Sequence, residues 1–445
     1  MKIIGIAYAA LFAAVALYLN HAFYHDDAYI TLRYARNFLN GSGIVWNPGE
    51  YVQGYTNFLH LILVSAIGRL GVDLVWASRI VTMASLAALI AVMVQFRTVI
   101  KGGPGDWLGY LPAILTATSV PMLVWSLGGL EGTLFSLLVA AGCLLFLRAM
   151  AAHINHRPNR LPNYRLWAAS GMALGLGFLA RPDGLVFIIV SLVALALMKR
   201  QDGSRSQHSR ILITYAFGVA IFVVPYILWQ ASYYGDVVLN TFYAKMGLPL
   251  PLRIDSGFRY FMGYAVRPPF LPICLAVSLV YTVYKRLWAP SLTCLVCSIA
   301  AYVLFVVSAG GDHMQSFRLL LPVVPLMSAL LVMSLARSIG ATRSTANCIT
   351  LARREITEIE VPVQRTPGHL KGDGDYVLSR RPDFIIIGPS EGIEASMPWF
   401  LSDLELSRDP GFARDYTMVR VSLDGSGRSA PGGDLTFTYY QRTGG

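Results

Sequence analysis

The chain has 445 residues, of which 55% are hydrophobic and only 14% charged, with a formal net charge of +11 and a mean hydropathy of +0.53. A soluble domain carries roughly 25% charged residues, so this composition excludes an ordinary soluble protein and implies one that lives among membrane lipids. The Lys and Arg residues sit mostly in short loops between apolar runs, where they orient membrane spans by the excess of positive charge on the cytoplasmic side; nucleic acid is therefore excluded as the partner of the basic charge. Cys143, Cys274, Cys294 and Cys297 all lie in apolar runs, so no disulfide framework is expected.

The N-terminal run Ile3–Leu19 is roughly long enough to cross a bilayer. It lacks a small-residue cleavage site and reads as an uncleaved signal anchor. Directly after it comes HDDAYITLRYARNFLNGSGIVWNPGEYVQGYTN, from His25 to Asn57. A segment so dense in Asp, Arg, Asn, Tyr and Gly is costly at a membrane unless it performs chemistry. A helix starting near Asp26 places Asp26, Tyr29, Arg33 and Arg36 on one stripe, with Asp27, Thr31 and Tyr34 beside it.

Apolar runs follow near 57–72, 75–97, 107–127, 133–149, 166–180, 185–198, 211–231, 269–284, 288–308 and 318–336. Placing every basic loop in the cytoplasm leaves room for one span between the aspartate pair and Arg97, yet two runs occupy that interval. The first, 57–72, is short and ends near Arg69, so it is expected to lie on the membrane surface. With that choice the outer loops are 23–74, 128–132, 181–184, 232–268 and 309–317. They carry the aspartate pair, GGLEG, RPDG, YYGDVVLNTFYAK and GGDHMQSFR. The polar segments of the sequence thus converge on one face.

That face offers carboxylates, cations and amphipathic side chains together. Arg binds phosphate as a bidentate fork and Lys as a point charge. Carboxylates can deprotonate a hydroxyl or hold a divalent ion, although Asp27 can equally cap a helix. Tyr29, Trp46, Tyr55, Asn57, Asn240 and Tyr243 suit the hydroxyls and apolar faces of a sugar. No Gly-rich phosphate loop stands between a strand and a helix, which argues against a soluble nucleotide-sugar enzyme.

The run DDAYITLRYARN–GSGIVWNPGE–VQGYTNFLH resembles the first outer loop of the GT-C membrane glycosyltransferases of the mycobacterial arabinofuranosyltransferase B group. GGLEGTLF, ARPDG, YYGDVVLNTFYAK and GGDHMQSFRLLLPVVP resemble the same group in the same order, over about residues 20–325, and the type IV pilin arabinosyltransferases are similar. The resemblance implies an α-helical polytopic membrane protein of GT-C type, with about 10 transmembrane helices, juxtamembrane helices and a small C-terminal α+β domain. It implies a multi-pass enzyme of the bacterial inner membrane, its active site facing the periplasm. The donor would be polyprenyl-phosphate arabinofuranose, and the acceptor a pilin Ser/Thr or a glycan hydroxyl. Carried over, the aspartate pair becomes Asp26 and Asp27, as catalytic residues or as ligands of a divalent cation, Mg or Mn. The glutamate of the short loop becomes Glu131. Beside it we place Arg33, Tyr55, Asn57, Arg181, Asp183, Lys245, Asp312, His313 and Arg318 as donor-binding candidates. Two departures bear on sugar or acceptor preference: Gln53 stands where the group often has Glu, and His313 where Trp is common.

Two other readings stand beside this one. The same fold could use mannose or aminoarabinose on the polyprenyl phosphate. A transporter or flippase would show internal repeats and charges at mid-membrane, and neither is seen in the sequence. After about Ser338 the composition turns mixed and polar, and DFIIIG, YTMVRVSL and LTFTYY read as strands. Residues 1–338 are therefore expected to form the membrane domain and 339–445 a small soluble one. The span count puts that domain in the cytoplasm, whereas the resemblance puts it in the periplasm near the acceptor, which we favour.

Overall fold

The structure, a computed structural model, describes residues 2–100, 108–154, 163–198, 205–236, 249–312, 314–338, 378–379, 381–387, 406–423 and 435–443. The chain divides into two compact units, Met1–Ile339 and Gly340–Gly445.

The first unit is helical. α1 (Lys2–Leu19) is followed by α2 (Ala28–Leu39), α3 (Phe58–Gly68) and α4 (Leu74–Gln95). α2 forms as its apolar spacing dictates: Ala28, Thr31, Leu32, Tyr34 and Ala35 are buried, while Tyr29, Arg33 and Arg36 face outward. Next come α5 (Leu111–Ala117), α6 (Val120–Trp125), α7 (Gly132–Ile154), α8 (Tyr164–Ala180), α9 (Leu185–Leu197) and α10 (Arg205–Tyr234). α11 (Leu250–Ala265), α12 (Leu271–Tyr284), α13 (Pro290–Ser308) and α14 (Val323–Ser338) complete the unit. It is a polytopic membrane fold whose core joins α2, α4, α7, α9, α13 and α14.

Among the described residues, four helices are long and apolar enough to cross a membrane: Leu74–Thr98, Gly132–Ile154, Ser206–Tyr234 and Pro290–Ser308. Several of the apolar runs instead form helices of 10–17 residues. The run 107–127 breaks at Thr118–Ser119 into α5 and α6, each opened by a proline in its first turn, Pro112 and Pro121, where the missing N–H does no harm. α3 has 11 residues and rises about 16 Å, roughly half of a hydrocarbon core.

α8 and α10 pack backbone against backbone. A Cβ added at Gly171 would meet the Tyr215 carbonyl, one at Gly175 the Val219 carbonyl at 2.9 Å, and one at Gly218 the Ala168 carbonyl. Only glycine permits that seam, a device frequent between membrane helices.

The second unit contains β1 (Phe384–Ile385), α15 (Pro410–Asp415), β2 (Tyr416–Leu423) and β3 (Leu435–Arg442). The sheet is antiparallel in the order β1-β3-β2, with Ile385 opposite Tyr440 and Tyr416 opposite Arg442. Ile385, Ile387, Leu406, Phe412, Tyr416 and Tyr440 form its small core.

Candidate active site

The site is built from four loops. The first leaves α1 and turns into α2 at the aspartate pair. Asp26 is exposed, and its Oδ1 accepts from the Asp27 N–H at 2.9 Å and lies 2.9 Å from His25 Nδ1. We assign Nδ1 as the protonated ring nitrogen. The 3.2 Å approach of the Asp27 N–H to the same Nδ1 is then a close contact, because a protonated nitrogen cannot accept. Asp27 takes the cap position of α2, yet its side chain makes no capping hydrogen bond. One ligand atom each of His25, Asp26 and Asp27 lies within 4.8 Å of the others, a donor set of one imidazole and two carboxylates.

The second loop joins α6 to α7 and carries Glu131. His25 N–H donates to the Gly128 carbonyl at 3.1 Å, which fastens the aspartate loop to it. Gly129 has φ +78, and a Cβ there would strike the Tyr24 ring; only glycine meets both demands. Glu131 is 2% exposed. Its Oε1 accepts from Arg181 Nη1 at 2.7 Å and its Oε2 from Asn57 Nδ2 at 2.9 Å. Asn57 Nδ2 also donates to Thr31 Oγ1 at 3.0 Å. Burial pushes the Glu131 pKa up, but the guanidinium groups of Arg181 and Arg318 outweigh it and hold the carboxyl at about 2.

The third loop follows α8. Arg181 leaves the helix in extended conformation, and its Nε donates to Asp183 at 3.0 Å. Asp183 Oδ2 in turn accepts from the Tyr302 hydroxyl of α13 at 2.7 Å. A continuous buried chain therefore runs Thr31–Asn57–Glu131–Arg181–Asp183–Tyr302.

The fourth loop precedes α14. Asp312 Oδ2 receives Arg318 Nη2 at 3.0 Å and Nε at 3.2 Å. Two residues in the left-handed region, Ser316 (φ 57) and Phe317 (φ 52), aim Arg318. Such conformations cost of order 1–3 kcal/mol each in non-glycine residues and persist where the surroundings over-determine them. The Arg318 guanidinium lies over the Trp125 ring at 5.7 Å, and the His25 ring packs on the same tryptophan at 5.4 Å. Trp125 thus joins Arg318 to the aspartate loop.

The structure brings together Asn57, Glu131, Arg181 and Asp183, and it links Asp26, Asp27, Asp312 and Arg318 to them. Two candidates stand apart. Arg33 donates to the Trp46 carbonyl at 3.0 Å and stacks on that ring at 5.0 Å, so it braces its own loop. Tyr55 is 3% exposed, and its hydroxyl lies 3.1 Å from that of Tyr234. With Tyr34, Ile44 and Leu61 it forms an aromatic cluster against Trp229, Tyr233 and Tyr234 of α10. That cluster holds loop 40–56 in place, and this corrects Tyr55 from sugar contact to packing. Gln53, one of the two departures, is buried and donates to the Tyr226 hydroxyl at 3.0 Å. Lys245 and His313 lie outside the described residues.

Sequence reasoning missed Tyr302, Trp125 and His60. Tyr302 and Trp125 were hidden in apolar runs; His60 was signalled only as one imidazole in the apolar helix FLHLIL.

No family model matches the chain. Among curated proteins it is similar to the terminal beta-(1->2)-arabinofuranosyltransferase of Mycobacterium tuberculosis, 25% identical over 333 residues, covering 68% of this chain and 51% of that one. The chain spans about half the length of the curated relative it matches. Among solved structures it is similar to ArnT from Cupriavidus metallidurans bound to undecaprenyl phosphate, with a TM-score of 0.47 and 14% identity over 82% of this chain and 66% of that one. It is also similar to the Archaeoglobus fulgidus oligosaccharyltransferase AglB in complex with an inhibitory peptide and a dolichol-phosphate, with a TM-score of 0.48 and 12% identity over 92% and 55%.

Proposed function

We propose that this protein is a GT-C-type membrane glycosyltransferase that moves arabinofuranose from a polyprenyl-phosphate donor to an acceptor hydroxyl on the periplasmic face of a bacterial inner membrane. The acceptor is a pilin Ser/Thr or a glycan. The observation that carries this reading is the buried chain through Glu131 and Arg181, set beside the carboxylate of Asp27 and the cation of Arg318. The curated relative, an arabinofuranosyltransferase by name, supports the choice of sugar.

In this reading Asp27 takes the proton of the acceptor hydroxyl, for its carboxylate is not spent on capping α2. The acceptor oxygen then bonds to the anomeric carbon while the bond from that carbon to the phosphate oxygen breaks. Polyprenyl phosphate leaves with both bonding electrons. Arg318 uses Nε and Nη2 on Asp312, which leaves Nη1 for a phosphate oxygen, and Lys245 is a second candidate for that charge. Where a divalent cation binds, His25, Asp26 and Asp27 are the residues that would hold it, and it would neutralise the leaving phosphate. The imidazole and two carboxylates suit Mg or Mn, but such an ion would replace the hydrogen bond of His25 to Asp26.

An apolar cavity of about 230 Å³ opens beside Phe317, walled by Leu115, Val120, Tyr264, Leu271 and Val324. Arg267 stacks on Phe317 at 4.8 Å at its edge. Its chemistry suits the first isoprene units of the donor.

The test is purified protein in liposomes with short-chain polyprenyl-phosphate arabinofuranose, mannose or aminoarabinose, measuring polyprenyl phosphate released and sugar transferred to a pilin peptide or glycan. Arabinofuranose should be consumed, and Asp27→Asn should stop it. Consumption of none of the three would reject the reading. Consumption of another sugar alone would keep the reaction and change the donor.

A further inference from the structure

His60 is fully buried on α3, three residues after Asn57 and therefore on the same helical face. Neither Nδ1 nor Nε2 has a hydrogen-bond partner, although the ring lies in the field of Glu131. An unmet buried polar group is destabilising, and an apolar side chain of similar size would avoid that cost. Native proteins break such rules mainly where a group has a task beyond the resting structure.

We propose that His60 is a positioning residue that acts through Glu131 as a reserve hydrogen-bond donor: unpartnered at rest, it takes the carboxylate when Asn57 or Arg181 is drawn to the substrate. The proposal rests on the reading of the Glu131 chain as the site of transfer. An ionised carboxylate offers about four acceptor positions, and Glu131 fills two of them, with Arg181 at 2.7 Å and Asn57 at 2.9 Å. The neutral imidazole carries one N–H and no charge. Burial keeps it in that form, with its pKa pushed down to about 4. It can therefore exchange partners without moving a charge through a low-dielectric site, which a lysine or arginine could not do.

Four variants test this: His60→Leu, His60→Gln, Glu131→Gln and the double variant His60→Leu/Glu131→Gln. At pH 7 His60→Leu should unfold at or above the wild-type temperature, because it removes an unmet polar group. Its turnover with a short-chain polyprenyl-phosphate sugar should fall about ten-fold or more, at nearly unchanged KM, and the acidic limb of its pH–rate profile should keep only the part set by Asp27. His60→Gln, which restores an N–H, should regain most of the turnover. Adding His60→Leu to Glu131→Gln should cost nothing further. Wild-type turnover and pH profile in His60→Leu would overturn the proposal, as would failure of both His60 variants to fold. If the wild type transfers no sugar, the reading of function falls separately. The four proteins are then compared by unfolding temperature near pH 4, where His60 and Glu131 should be non-additive by at least about 3 °C. Additivity there overturns the proposal.

Discussion

Replacing Glu131 by glutamine isolates the charge of the buried chain from its shape. The introduced amide keeps an oxygen for Arg181, and its N–H then faces Asn57. Asn57 can turn its own amide so that Oδ1 accepts, with Nδ2 still reaching Thr31. The hydrogen bonds survive, and what is lost is the negative charge beside two guanidinium groups. The carboxyl is held at about 2 against an ordinary 4.5; a gap of that size corresponds to about 3 kcal/mol. Breaking a buried pair from one side costs about 3–5 kcal/mol, so two routes give the same scale. In a unit this large, 1 kcal/mol moves the midpoint by about 2 °C. Glu131→Gln should therefore unfold on the order of 6 °C below wild type at pH 7, followed by tryptophan fluorescence in detergent. Adding Arg181→Met should cost less than that substitution does alone, since its charge no longer needs an answer. A midpoint within about 1 °C of wild type would refute a buried, ionised Glu131.

The other predictions concern chemistry and pH. Asp27→Asn should lower transfer roughly 100- to 10,000-fold with an unchanged melting curve, and Asp26→Asn should cost less, because Asp26 is tethered to His25; equal losses would contradict that order. Arg318→Lys should weaken donor binding in steady-state kinetics and leave acceptor KM alone, since an ammonium cannot hold Asp312 and a phosphate in one planar fork. His60 is depressed from 6.5 to about 4, so the unfolded chain binds the proton more readily and stability is lost as pH falls from about 6.5 to 4. That window should narrow in His60→Leu melts, with Glu131 removing a further share as pH falls from about 4.5 towards 2. Gly129→Ala should lower the midpoint, because φ +78 and the Tyr24 ring both resist a Cβ; an unchanged midpoint would show that the loop can move aside.

Much of this arrangement was legible from residue type and position. Asp, Glu and Arg at the ends of apolar runs are expensive there, and the cost itself pointed to Glu131, Arg181 and Asp312. The helical spacing from Asp26 likewise set Tyr29, Arg33 and Arg36 on one stripe and Thr31 and Tyr34 on the next, but which stripe is buried came only from the packing. Tyr302 was not legible, because a tyrosine in the run LVCSIAAYVLF reads as core until tertiary packing sets its hydroxyl on Asp183. Tyr55 misled for the related reason that an amphipathic ring serves packing as well as sugar binding. The break at Thr118–Ser119 was missed because mean hydropathy over 107–127 says nothing about two prolines that each start a helix.

The glycine seam between α8 and α10 gives this protein a second kind of vulnerable position. Arg181 is the residue after the end of α8, ten positions beyond Gly171, about 15 Å along the axis. α10 ends in Tyr233 and Tyr234, whose hydroxyls bond the backbone N–H and carbonyl of Ile44. A bulky side chain at Gly171, Gly175 or Gly218 would act as a wedge, turning the guanidinium from Glu131 at one end and lifting the aromatic anchor of loop 40–56 at the other. In a random mutagenesis screen, inactive variants should therefore map to two separate bands: the polar loops, and a stripe of glycines deep among the helices that touches no substrate.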